Sequence, residues 1–197
     1  MWFPECGLHV SWSFWLLILL AAIVSPLTIM LSILLAAALH ECGHLLALRA
    51  FHVPIEGLRL SAFGAVLHAR GAQRLSYGRE LVVTLAGCGM NLVCGVLTAW
   101  FSLHYVWVEG FVFAGAHILL CAFNLLPIPP LDGSSIFAIL LPPKYLPKYY
   151  QIQQYAFPVF MIVIVLFPYL FHFNPFSWYL GVTAGNLGNL LFPFPIY

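Results

Sequence analysis

Residues 27–51 read LTIMLSILLAAALHECGHLLALRAF, an apolar run interrupted late by His40, Glu41 and His44. A helix rising about 1.5 Å per residue crosses a hydrocarbon core of about 30 Å in roughly 20 residues, so this run is long enough to span a bilayer. Two imidazoles four residues apart share one helical face and can bind a single zinc ion, with Glu41 beside them in sequence. With eight His and five Glu in the chain, residue frequencies give roughly a one-in-a-hundred chance that an HExxH pattern arises by accident. The depth of the motif adds to it. These groups stand about two turns from the end of an apolar helix, where ionisable side chains cost several kcal/mol unless they are paired or functional.

The same solvent is indicated on either side of this run. The chain is 63% hydrophobic and 7% charged over 197 residues, too little polar surface for a soluble globule of its size. A first apolar span is expected over residues 11–24 and is stopped by Ser25-Pro26, because proline removes a backbone donor and disfavours helix before it. Past residue 51 the pattern turns to short alternation, Leu58 and Leu60, then Val66, His68 and Arg70 around Gly64, which predicts a small β-hairpin. Further spans are expected over residues 76–103, 111–126 and 151–171. A sixth segment over 178–192 contains Gly181, Gly185, Asn186, Gly188 and Asn189 and is short for a full crossing, so it reads as a span or as an interfacial or re-entrant segment. The fold class is therefore an all-α polytopic membrane protein of about six transmembrane helices, with a β-hairpin between the second and third, built as one domain over 1–197. The N-terminus lacks the basic region of a secretory signal, so the first apolar run is expected to be retained.

Charge adds orientation. The seven basic residues fall after the second span (Arg49, Arg59, Arg70, Arg74, Arg79) and after the fourth (Lys144, Lys148), and those segments share a side if spans three and four form a hairpin. The intervening loop carries Glu109 and no Lys or Arg, which places the basic side, and the HExxH end, toward the cytoplasm. Seven cations and a net charge of +1 cannot form a phosphate-binding face, so nucleic acid is excluded as a partner. The five cysteines show no CxxC spacing and imply no disulfide framework.

Zinc hydrolases commonly use three protein ligands and keep a fourth position open. The chain has one aspartate, Asp132, in Asn124-Leu125-Leu126-Pro127-Ile128-Pro129-Pro130-Leu131-Asp132-Gly133, and the topology returns it to the side of His44. Pro127, Pro129 and Pro130 prevent continuous helix, so an extended or broken passage can aim Asp132 at the metal. The bland alternative is that Asp132 caps a helix beginning near Gly133.

HECGH at residues 40–44 followed at a distance by NLLPIPPLDG at 124–133 resembles the site-2 protease family of intramembrane zinc metalloproteases, especially its compact, sporulation-type bacterial branch. The resemblance covers about residues 27–142, a three-helix catalytic core. It implies that His40, His44 and Asp132 hold one zinc ion, that Glu41 is the catalytic base, and that Asn124 holds substrate backbone near the metal. It also implies a multi-pass protein of a bacterial cell membrane. The substrate would be a transmembrane protein met in the lipid bilayer, with room for a regulatory membrane partner. The PDZ and CBS modules of some relatives do not fit in the residues available. Asn91, in Ala86-Gly87-Cys88-Gly89-Met90-Asn91, matches a family motif and is a second substrate-binding candidate, although helix packing through Gly87, Gly89 and Gly95 explains that stretch as well. His117 reads as a structural histidine within reach of the site. Cys42 occupies a variable position of HExxH. A non-proteolytic zinc scaffold or transporter would explain the ligands but not Glu41, and a transporter would carry polar groups in several spans.

Overall fold

Proline sets the first boundary. Ser25 is extended (φ −113°, ψ 144°) and Pro26 follows at φ −55°, so the apolar N-terminal third breaks into two helices where the sequence places the break. The computed structural model describes residues 7–61, 64–71, 75–171, 178, 179, 181–183 and 186. In chain order these form β1 (Gly7–Val10), α1 (Trp12–Val24), α2 (Leu27–Ala50), β2 (Ile55–Ser61), β3 (Gly64–Ala69), α3 (Tyr77–Tyr105), α4 (Val108–Asn124), α5 (Asp132–Leu140), a 3-10 turn (Pro143–Tyr145) and α6 (Leu146–Phe171).

The described fold is mostly helical, and its centre is the packing of α2, α3 and α4 on one another. Small residues make the close approach. A Cβ on Gly43 of α2 would stand 2.9 Å from the Ala86 carbonyl carbon and from Met90 Cβ of α3, and one on Gly95 of α3 would stand 3.3 Å from His117 Cβ of α4. Helices packed in an apolar solvent gain little from the hydrophobic effect and depend on such backbone proximity. Most of the buried side chains are correspondingly small or polar, among them Ala36, Cys88, Ala99, Cys121 and Ala122 with Ser32, Asn91, Ser102 and His117. Val106 closes α3 in the left-handed region (φ 53°), and Trp107 N–H donates to Ser102 O at 3.1 Å. This reversal is the α3–α4 hairpin on which the charge argument depends.

The predicted hairpin is present. β2 and β3 pair antiparallel with Leu58 opposite Leu67 and Ser61 opposite Gly64. The sheet has a third member that the alternation did not announce: β1 lies parallel to β2, Gly7 opposite Gly57 and Val10 opposite Leu60, giving the order β1-β2-β3. Fold class is thus corrected from all-α with a hairpin to helical with a three-stranded sheet. Gly57 admits this neighbour, since a Cβ there would lie 2.9 Å from Gly7 O.

Among the described residues two helices, α2 and α3, are long and apolar enough to cross a membrane; α1 and α4 are apolar but shorter. The helix expected over 151–171 starts earlier, at Leu146. Most of the sixth expected span, 178–192, lies outside the described residues.

Candidate metal centre

One turn of α2 brings His40 and His44 together, with Nε2 atoms 3.1 Å apart, ring centroids at 4.7 Å and planes crossing at 83°. Asp132 completes a triangle. Its Oδ2 lies 3.0 Å from His40 Nε2 and 3.2 Å from His44 Nε2. His40 is buried, and the Asp132 side chain is 21% exposed.

The chain reaches this geometry through the proline run. After α4 ends at Asn124, residues 125–131 turn without helix, held by Ile128 N–H to Leu126 O at 2.8 Å and Leu131 N–H to Ile128 O at 2.9 Å. Gly133 lets the next helix start against the end of α4, because a Cβ there would fall on the Leu125 and Leu126 carbonyls. The N-cap of α5 is Leu131, without a side-chain cap bond, and Asp132 is the first helical residue. Its carboxylate therefore faces the two histidines instead of capping, which removes the bland alternative.

These residues fit a zinc ion. Bonds of about 2.0–2.1 Å to nitrogen and oxygen in a tetrahedron place neighbouring donor atoms about 3.3 Å apart, and the three edges here are 3.0, 3.1 and 3.2 Å. Asp132 Oδ2 is buried and faces the two imidazole Nε2 atoms, and a cation between the three would satisfy it. His44 Nδ1–H donates to Val83 O at 2.8 Å, leaving the Nε2 lone pair toward the triangle. Asp132 and Glu41 together would also balance a divalent charge. Among the described residues, His40, His44 and Asp132 are the group able to hold a metal.

The triangle has a floor that sequence reasoning missed. A Cβ on Gly87 of α3 would stand 2.6 Å from His40 Cε1 and 2.7 Å from His40 Nε2, and it would also strike His44 Nε2. Only a residue without a side chain lets α3 pass beneath both imidazoles. The glycine-rich stretch around it was the available signal, and helix packing explained it equally well.

The other expected residues are placed as follows. Glu41 is half-buried and within electrostatic reach of both histidines and Asp132. Asn124, the last residue of α4, is half-buried and donates from Nδ2 to Leu120 O at 3.1 Å. Asn91, expected to face substrate, is fully buried with its amide between His40 Nδ1 (3.3 Å) and His117 Nδ1 (3.0 Å). Cys42 is exposed.

No family model matches the chain. YwhC of Bacillus subtilis, which is named as a zinc metalloprotease, is 33% identical over 88 residues, 45% of this chain and 37% of its own length. Stage IV sporulation protein FB of the same organism is 28% identical over 137 residues, 68% of this chain and 47% of its own length. The chain thus spans less than half the length of these curated relatives. The solved site-2 protease from Methanocaldococcus jannaschii shares the fold, with a TM-score of 0.67 over 96% of this chain and 94% of that one, at 19% identity. With the HECGH and LDG segments meeting in one triangle of donors, the chain is similar in part of its sequence to a protein named as a zinc metalloprotease and to a sporulation protein, and it shares the fold of a site-2 protease.

Proposed function

We propose that this chain is an intramembrane zinc metalloendopeptidase that hydrolyses a peptide bond within or near a transmembrane segment of another membrane protein. The observation that carries this reading is the convergence of His40, His44 and Asp132 beside Glu41. His40, His44 and Asp132 hold one zinc per chain, which when bound supplies Lewis acidity to a substrate carbonyl and to water. Glu41 accepts the proton of the attacking water and returns it to the leaving amide nitrogen. Asn124, at the mouth of the proline passage, holds substrate backbone.

The surface supports a bilayer setting. No residue of α1 is buried, and Trp12, Ile23 and Val24 are 77%, 73% and 82% exposed; an apolar surface of that extent calls for lipid or partner helices. The chain crosses the cell membrane several times, with about six spans and the basic segments and the metal centre toward the cytoplasm. Substrate carbonyls in an intact helix are already hydrogen-bonded, so cleavage requires local unwinding into an extended strand. The hairpin β2–β3 supplies a partner for it, with β3 at an edge of the sheet among the described residues.

The test compares wild type with Glu41→Gln in detergent, measuring zinc content and cleavage of a panel of single-span membrane proteins. Both should bind about one zinc, and the variant should lose about 10²–10⁴-fold or more in cleavage. Absence of zinc from well-folded wild type would remove the assignment.

A further inference from the structure

Beyond the three donors, the site contains a buried relay that joins all three core helices: His40 on α2, Asn91 on α3 and His117 on α4. Asn91 and His117 are 0% exposed and His40 is 5% exposed, so none of these polar atoms can turn to water. A His40 that ligates through Nε2 carries its ring proton on Nδ1, and a buried N–H needs an acceptor. What faces Nδ1 is the Asn91 amide nitrogen at 3.3 Å, while Asn91 Oδ1 faces His117 Nδ1 at 3.0 Å.

The two amide orientations correspond to two states of the site. With the amide nitrogen toward His40, its Nδ1 accepts, and the ring proton sits on Nε2, aimed at Asp132 Oδ2 3.0 Å away. That arrangement suits a metal-free centre. A half-turn of the amide exchanges nitrogen and oxygen in the same space. His40 Nδ1–H then finds an oxygen, and the amide NH₂ donates to His117 Nδ1. A neutral imidazole is the side chain that can meet both demands, because either tautomer presents Nδ1, as donor or as acceptor. Among the described residues His117 Nε2 has no hydrogen-bond partner, so exchanging tautomers breaks no bond at its far end and only turns an unsatisfied lone pair there into an unsatisfied N–H, a cost that the two bonds of Asn91 must offset.

We propose that Asn91 is a positioning residue for His40, that its amide reverses when the centre takes up metal, and that His117 follows by changing tautomer. The proton of His40 moves from Nε2 to Nδ1 and that of His117 from Nδ1 to Nε2, with no net proton gained or lost. This inference rests on the metal-site reading.

The experiment uses the full chain in detergent and measures zinc affinity by competition with a chromophoric chelator in wild type, Asn91→Leu, Asn91→Asp and His117→Phe. Asn91→Leu should weaken zinc by about 10–100-fold, the range for lost partners of ligating histidines, and should alter the visible spectrum of the cobalt-loaded protein. Asn91→Asp retains an acceptor for Nδ1–H and should recover most of that loss, while His117→Phe should fall between. In ¹⁵N-histidine spectra, the His117 Nδ1 resonance, identified by its absence in His117→Phe, should change from protonated to bare on zinc addition. Wild-type affinity in Asn91→Leu, equal losses in the Leu and Asp variants, or an unchanged His117 tautomer would overturn the proposal. If Asn91→Leu does not fold, the Asp variant and the tautomer measurement decide. Failure of wild type to bind zinc would instead remove the underlying metal site.

Discussion

Adding one methyl group at Gly87 should disable the metal centre without touching any ligand. In Gly87→Ala the new Cβ would meet His40 Cε1 and Nε2 at 2.6 and 2.7 Å and would also strike His44 Nε2. Ordinary contacts to carbon begin near 3.5 Å, so the His40 ring must retreat by about 0.8 Å or α3 must lift away. Metal–ligand distances tolerate about 0.2 Å, so either response spoils the triangle. Overpacking of this kind costs about 1–3 kcal/mol, and if binding bears that cost, zinc affinity falls about 5–150-fold. The control lies two residues along the same helix: a Cβ on Gly89 meets nothing within 4 Å. Gly89→Ala should bind zinc as wild type does and gain about 0.5–1 kcal/mol from helix preference. Affinity is read by chelator competition and stoichiometry by elemental analysis. Wild-type affinity in Gly87→Ala, or an equal loss in Gly89→Ala, would refute the argument that α3 runs beneath the imidazoles.

Two further outcomes follow from the same packing. Gly43→Ala places a methyl 2.9 Å from the Ala86 carbonyl carbon and Met90 Cβ, so thermal unfolding in detergent should show a loss of about 1–3 kcal/mol; an unchanged transition would mean that α2 and α3 do not depend on this approach. Asp132→Asn removes a charge from the ligand set, and since losing even an outer partner costs 10–100-fold, zinc retention after dialysis should drop by more than about tenfold; full retention would exclude Asp132 as a ligand.

The centre was readable to unequal depths. His40 and His44 were legible because a helix makes residues four apart neighbours whatever surrounds it. Asp132 was legible because it is the chain's one aspartate and lies beyond a proline run that ends α4 on the right side. Its competing role as a cap could be settled only by seeing Leu131 at the cap position. β1 escaped notice because four residues, Gly7–Val10, carry too little alternation and their partner lies some fifty residues away. Asn91 and His117 were both noticed, but on different helices nothing local relates them.

By itself the sequence determined the apolar helices, their breaks at Pro26 and around Pro127–Pro130, the β2–β3 hairpin, the HExxH face and its family resemblance. These depend on interactions within a few residues, or on composition, which the chain carries without folding. Tertiary structure alone decided that Asp132 closes a triangle with His40 and His44, that Gly87 is its floor, and that His40, Asn91 and His117 form one buried relay. Those facts depend on how closely α3 approaches α2 and α4, and that distance is set jointly by small residues on separate helices.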